Sequence, residues 1–290
     1  MIELAAAFAV AGAASNAVGT AFQRKAASTT RGAGVRILAE LARRPVWMVG
    51  MAGVIGAAVC QSLALVNGPL ALVQPLFILE LPFALLVAGP LMHRRLPRWG
   101  WWGVGGVVMG LAVLLAAAAP HGSTNQAPLV RWIPVLALCL GGMAVLILAA
   151  GRGRPAVRRA ALLAAAAATG NALTAALLKS ATGTFADDGF TAFLRSWQTY
   201  GFALAGAAAV ILLENSLQAG PLAASQPALT IGDAMVSLAL GMTLFGERIR
   251  TGWWLVPEAC GAVLIVVGVF VLSRAVQRIR ERPPAEADRH

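Results

Sequence analysis

The sequence predicts an all-α polytopic membrane protein with about nine transmembrane helices in an inverted repeat, spans 1–4 matching spans 6–9. Three observations predict it. The 290 residues are 59% hydrophobic and only 12% charged, with a mean hydropathy of +0.75, where a soluble chain carries about 25% charge. Apolar runs of the ~20 residues needed to cross a bilayer recur along the chain. One stretch of text also occurs twice. Gly68-Pro69-Leu70-Ala71 followed by Gln74-Pro75 reads again as Gly220-Pro221-Leu222-Ala223 followed by Gln226-Pro227, an offset of 152. The same offset carries Arg98 onto Arg250 and Gly100-Trp101-Trp102 onto Gly252-Trp253-Trp254.

Span 1 is expected over 3–22. The start Met1-Ile2-Glu3 lacks the basic segment of a cleaved signal peptide, so the run reads as a permanent span. It carries a polar stripe, Asn16, Thr20 and Gln23, at i, i+4 and i+7. A basic loop, 23–45, leads to span 2 over 46–66. Span 3, over 69–92, contains Gln74, Glu80 and two prolines, Pro75 and Pro82, that are expected to bend it. Span 4 covers 99–119; its glycines Gly103, Gly105, Gly106 and Gly110 lie inside a span, where they allow helices to approach closely and do not form a dinucleotide loop. Span 5, over 129–150, has no counterpart in the second half.

Span 6, over 156–178, answers span 1. Thr169, Thr174 and Lys179 match Ser15, Thr20 and Lys25 at an offset of 154, and Asn171 adds a further polar group. Span 7 covers 196–217. Span 8, over 220–245, is apolar except for Gln226, Thr230, Asp233 and Ser237, which share one helical face at about 100° per residue. Span 9 covers 253–274, and 280–290 reads as a disordered tail. The halves are therefore 1–150 and 151–279. Equivalent helices are five spans apart, an odd number, so the two copies cross the membrane in opposite directions.

The eight tryptophans fall at or next to span ends, where amphipathic rings prefer the interface. The net charge of +11 sits in short loops, which fits the positive-inside rule and argues against nucleic acid as a partner. With the N-terminus outside, six Lys and Arg in 23–45, three in 93–98, four in 151–159 and five in the tail face inward, 18 of 23. An N-out, C-in orientation follows. Abundant Ala, Gly and Arg with little Lys point to a GC-rich bacterial genome and an inner membrane. Cys60, Cys139 and Cys260 lie singly in spans and offer no disulfide or metal spacing.

Asp233 is the leading candidate for chemistry. A mid-span carboxylate facing lipid is costly, so it must face other helices or a wet cavity, as a cation ligand or proton carrier. Its rival reading is a packing contact with a neighbouring helix. Glu80 lies one position short of its repeat equivalent and six residues past Gln74, pointing about 120° away. Gln226, Gln74 and Thr230 supply neutral oxygens. Glu214, Glu247 and Glu258, near span ends, are expected to be interfacial or paired with Arg248 and Arg250. No P-loop, HExxH motif or paired metal-ligand histidine occurs, so no enzyme activity, catalytic residue or cofactor is expected.

The duplication, the paired Gly-Pro-Leu-Ala…Gln-Pro openings and the Phe245-Gly246-Glu247-Arg248-Ile249 ending resemble the drug/metabolite transporter superfamily, EamA-like group. Nine spans and Ser15-Asn16-Ala17…Gln23-Arg24-Lys25 are similar to its NIPA-like magnesium transporter branch. The first copy departs at His93-Arg94-Arg95-Leu96, where the Gly-Glu-Arg ending is lost. The resemblance implies that spans 1 and 6 line a central cavity, which adds Asn16 and Asn171 to the site. The function expected is a secondary transporter working by alternating access on a small metabolite or cation. Mg²⁺ is among the candidates, with Asp233 and Glu80 as its ligands. The alternative is a non-transporting membrane subunit or lipid-handling partner. Partners are the substrate and the lipid bilayer; a homodimer is left open.

Overall fold

The structure is a computed structural model that describes residues 1–28, 44–91, 97–151 and 153–281. Most of the basic loop 23–45, the His93–Leu96 departure and tail residues 282–290 lie outside the described residues. Within them the secondary structure is helical: α1 (Ile2–Ser28), α2 (Pro45–Asn67), α3 (Leu70–Phe77), α4 (Glu80–Leu91), α5 (Gly100–Ala118), α6 (Leu129–Ala149), α7 (Ala156–Arg195), α8 (Trp197–Ala219), α9 (Leu222–Phe245) and α10 (Leu255–Glu281). Nine spans among the described residues are long and apolar enough to cross a membrane, α3 and α4 together making the third.

Two spans depart from the simple reading. Span 3 is broken at 78–79, between α3 and α4. The cause is Pro82, with no N–H to give the Ile78 carbonyl and a ring that crowds it. That carbonyl takes the Leu81 N–H instead, at 3.2 Å, and the Ile78 and Leu79 N–H groups bond back three residues to Pro75 and Leu76, each at 3.1 Å. Span 8 has Pro227 but Ala234 in place of a second proline, and α9 runs unbroken. The sixth span, α7, does not stop at 178: it continues to Arg195, with a kink at Gly189, where φ is 83°. Lys179 looked like a span end because it is charged, yet it is fully buried.

The core forms around α7. Its apolar window is 72% buried, against 11% for α8, because a run of alanines lets α2, α3, α6, α8 and α9 all pack against it. Elsewhere α1 packs on α2, α3 and α4, α5 packs on α10, and α9 touches α3 and α10. Glycines set the α5–α10 contact. A Cβ on Gly110 would stand 2.7 Å from the Gly261 carbonyl, and one on Gly103 would stand 3.0 Å from the Gly268 carbonyl. The glycines of span 4 thus serve close packing, except Gly105, which faces open space. The outward surface is apolar: Val130, Leu138, Val145 and Leu148 of α6 are all exposed. Trp102 and Trp253 stand exposed at span ends, but Trp132 is completely buried, packed edge-on against Trp197 at 5.2 Å and Phe245 at 6.5 Å.

Candidate functional site

The polar stripe of span 8 survives intact because α9 is continuous: Gln226, Thr230, Asp233 and Ser237 keep their one-face register. Gly232 lets α9 lie against α7, where an added Cβ would come within 2.8 Å of the Ala168 methyl. Beside that contact the Asp233 Oδ1 and Ser237 Oγ atoms are buried, and neither has a hydrogen-bond partner. A buried carboxylate oxygen without a donor is costly.

Of the other predicted residues, Asn171 and Gln74 lie on helices that pack against α9, while Glu80 and Asn16 lie on α4 and α1, which pack on each other. Asn171 is half-buried on α7, one turn from the Ala168 contact. Gln74 is buried on α3, which packs against α9. Glu80 is half-buried and opens α4, just past the break. Asn16 is half-buried on α1, and its backbone carbonyl accepts the Thr20 hydroxyl at 2.9 Å. Thr174 likewise bonds within its own helix, to the Gly170 carbonyl at 2.7 Å, so these two hydroxyls are spent locally. Among the described residues no group of three or more His, Cys, Asp and Glu comes together to hold a metal ion. The cysteines are free.

A second polar centre, which sequence reasoning misplaced, sits where α2 ends and α9 ends. Glu247 is neither interfacial nor paired with Arg248 or Arg250. Its side chain and that of Lys179 are both fully inaccessible, 3.4 Å apart. The local fold explains the aim of the carboxylate. Gly246 ends α9 in the left-handed region, with φ 64°, a conformation that suits glycine. The Glu247 N–H then wraps back to the Gly241 carbonyl at 3.1 Å, and the side chain turns past Gly241 to the start of α3. There it accepts the N–H groups of Leu70 at 2.6 Å and Ala71 at 2.9 Å. These are orphan donors at a helix N-terminus, where an anion is favoured.

Lys179 completes the centre. Its Nζ donates to the Gly68 carbonyl at 2.6 Å and to Ser123 Oγ at 2.7 Å, and lies 5.2 Å from the centre of the Phe245 ring. The segment between α5 and α6 straps across this end. Asn125 donates to the Val66 carbonyl at 3.3 Å, Gln126 to Thr184 Oγ1 at 2.7 Å, and His121 exchanges backbone bonds with Arg248 at 3.0 and 2.9 Å. Arg250 instead lies over the Trp254 ring at 4.9 Å. The signal for Glu247 was present in the Gly-Glu-Arg motif; the signal for Lys179 was its status as one of only two lysines in the chain.

An apolar surface enclosing buried polar centres, on nine helices of membrane-crossing length among the described residues, gives the chain the build of a multi-pass α-helical membrane protein. An uncharacterized protein of Corynebacterium glutamicum is similar to it, 28% identical over 280 residues, which cover 93% of this chain and 95% of that one. The likeness is therefore between whole chains. No family model matches the sequence, and no solved structure matches it.

Proposed function

We propose that the protein is a secondary transporter of the drug/metabolite type, working by alternating access on a small metabolite or cation. The observation that carries this reading is Asp233: a carboxylate in the middle of an apolar span with one oxygen sealed from water and unpartnered. Asn171, Gln74, Gln226, Thr230, Glu80 and Asn16 are its companions in the binding region. Binding or protonation at Asp233 stabilises one packing of the helices over another, which is what couples occupancy to a change of state.

The inverted repeat is part of the proposal, and the packing supports it. If spans 1–4 match spans 6–9, then the pairs 1–2 and 6–7 should correspond, as should 1–3 and 6–8. Spans 3 and 8, and spans 4 and 9, should meet each other across the pseudo-axis. All these contacts occur: α1 with α2, α7 with α8, α1 with α3 and α4, α7 with α9, α3 with α9, and α5 with α10. Two near-equivalent halves allow the openings at the two ends to exchange. The proposed orientation is N-terminus out and C-terminus in, in a bacterial inner membrane, which puts the Lys179–Glu247 centre at the outer end.

The test is solute uptake in proteoliposomes, with Mg²⁺, organic cations and small metabolites offered separately, for wild type and Asp233→Asn. Flux of one class that disappears in the variant supports the reading and identifies the substrate. Folded wild type that moves no solute overturns it, leaving a non-transporting membrane subunit or lipid-handling partner.

A further inference from the structure

Resting on the transporter reading above, we propose that Lys179, Glu247 and Ser123 form a lock that holds the Gly68–Glu247 end of the bundle shut. The three residues come from elements distant in sequence. They join the α2–α3 junction, the α5–α6 segment, α7 and the end of α9 in one cluster of charge-assisted bonds. Opening this end has to pull the start of α3 away from α7 and from the end of α9. That strips two N–H donors from Glu247 and the Gly68 carbonyl from Lys179, and water replaces them only in part. Hydrogen bonds to charged groups shift such an equilibrium by about 10- to 100-fold each.

The sequence repeat carries over only part of the lock. The Gly-Pro-Leu-Ala start recurs at Gly220–Ala223, and Lys179 has its counterpart in Lys25. The counterpart of Glu247, however, is Arg95. A guanidinium has no acceptor for backbone N–H groups, so this residue type does not repeat the bonds that Glu247 makes. In the sequence, the position that the repeat matches to Glu247 therefore carries no anion. Gly241 is a further part of the lock, since any side chain there would occupy the space of the Glu247 carboxylate.

The experiment uses the full chain in nanodiscs, with Cys60, Cys139 and Cys260 replaced and spin labels at Asn67→Cys and Asp187→Cys. These sites lie on α2 and α7 at the locked end and outside the lock itself. Pulsed electron spin resonance reads the distance between them. Wild type should give one dominant short distance. Glu247→Gln should raise a second, longer population by about tenfold or more. Ser123→Ala, a milder change that keeps both charges, should raise it by less and in the same direction. Unchanged distances in both variants, in monodisperse folded protein, overturn the lock. The readout needs no solute, so the two proposals fail separately. Distances that lengthen in variants of a protein that moves no solute leave the lock standing and remove the transporter. Flux without any lengthening removes the lock alone.

Discussion

Replacing Gly241 by alanine places a methyl group on the Glu247 carboxylate. Helix propensity alone predicts the opposite of harm, because Gly241 lies within α9 and Gly→Ala there gains up to about 1 kcal/mol. The structure predicts a loss. A glutamate tip can swing away, but only by giving up the Ala71 N–H at 2.9 Å and the Leu70 N–H at 2.6 Å. Its retreat leaves the Lys179 ammonium buried without a counter-charge, and breaking a buried pair costs about 3–5 kcal/mol. After the propensity gain, a net loss of about 2–4 kcal/mol remains. SDS-driven unfolding followed by tryptophan fluorescence measures it, with Gly105→Ala as the control, since a Cβ at Gly105 meets nothing within 4 Å. Gly241→Ala as stable as wild type or more so, in step with the control, would refute the placement of Glu247.

Three further outcomes are expected. Asp233→Asn should lose flux while its thermal midpoint stays at or above that of wild type, because the charge removed has one oxygen buried without a donor; a lowered midpoint would mark Asp233 as a packing residue instead. Pro82→Ala should supply the missing N–H to Ile78 and join α3 to α4, slowing amide exchange across 78–82 by about fivefold, as one added hydrogen bond implies. Gly261→Ala should destabilise by about 1–3 kcal/mol through overpacking, because its Cβ would stand 2.6 Å from the Leu114 backbone nitrogen. Unfolding of Gly261→Ala beside Gly141→Ala, whose Cβ meets nothing within 4 Å, checks that last figure.

Much of the fold was legible because lipid-facing helices declare themselves by length and hydropathy. The span starts at Leu129 and Ala156 fall where the apolar runs begin, and three of the four span 4 glycines, Gly103, Gly106 and Gly110, face a partner helix. What escaped was whatever depends on a distant partner. Lys179 reads as a boundary until Glu247, 68 residues away, is placed beside it. Glu247 reads as interfacial until its turn at Gly246 is seen to aim it at α3. Trp132 sits at a span end like the other tryptophans, yet Trp197 and Phe245 cover it. A bend in span 3 was expected from its prolines, whereas the full break was not, and the i−4 carbonyl of Pro82 fixes where it falls. Of the candidate site, the register of the α9 stripe was readable from periodicity. The neighbours of Asp233 were not, because helix periodicity orders residues along one helix and says nothing about which helix lies opposite.

The distance along the chain between Lys179 and Glu247 also bears on how the protein is made. Lys179 leaves the ribosome 68 residues ahead of Glu247, an interval of about 3–14 s at ordinary synthesis rates of roughly 5–20 residues per second. Throughout it the ammonium has no counter-charge, and a lysine deep in a helix opposes membrane insertion by about 3 kcal/mol. Until α9 arrives, α7 must keep Lys179 at the headgroup level, with its side chain stretched toward water. Final closure of that end thus waits on the eighth span, and a nascent chain halted before Glu247 presents an exposed cation at the membrane surface, the kind of mark by which an unfinished membrane protein differs from a complete one.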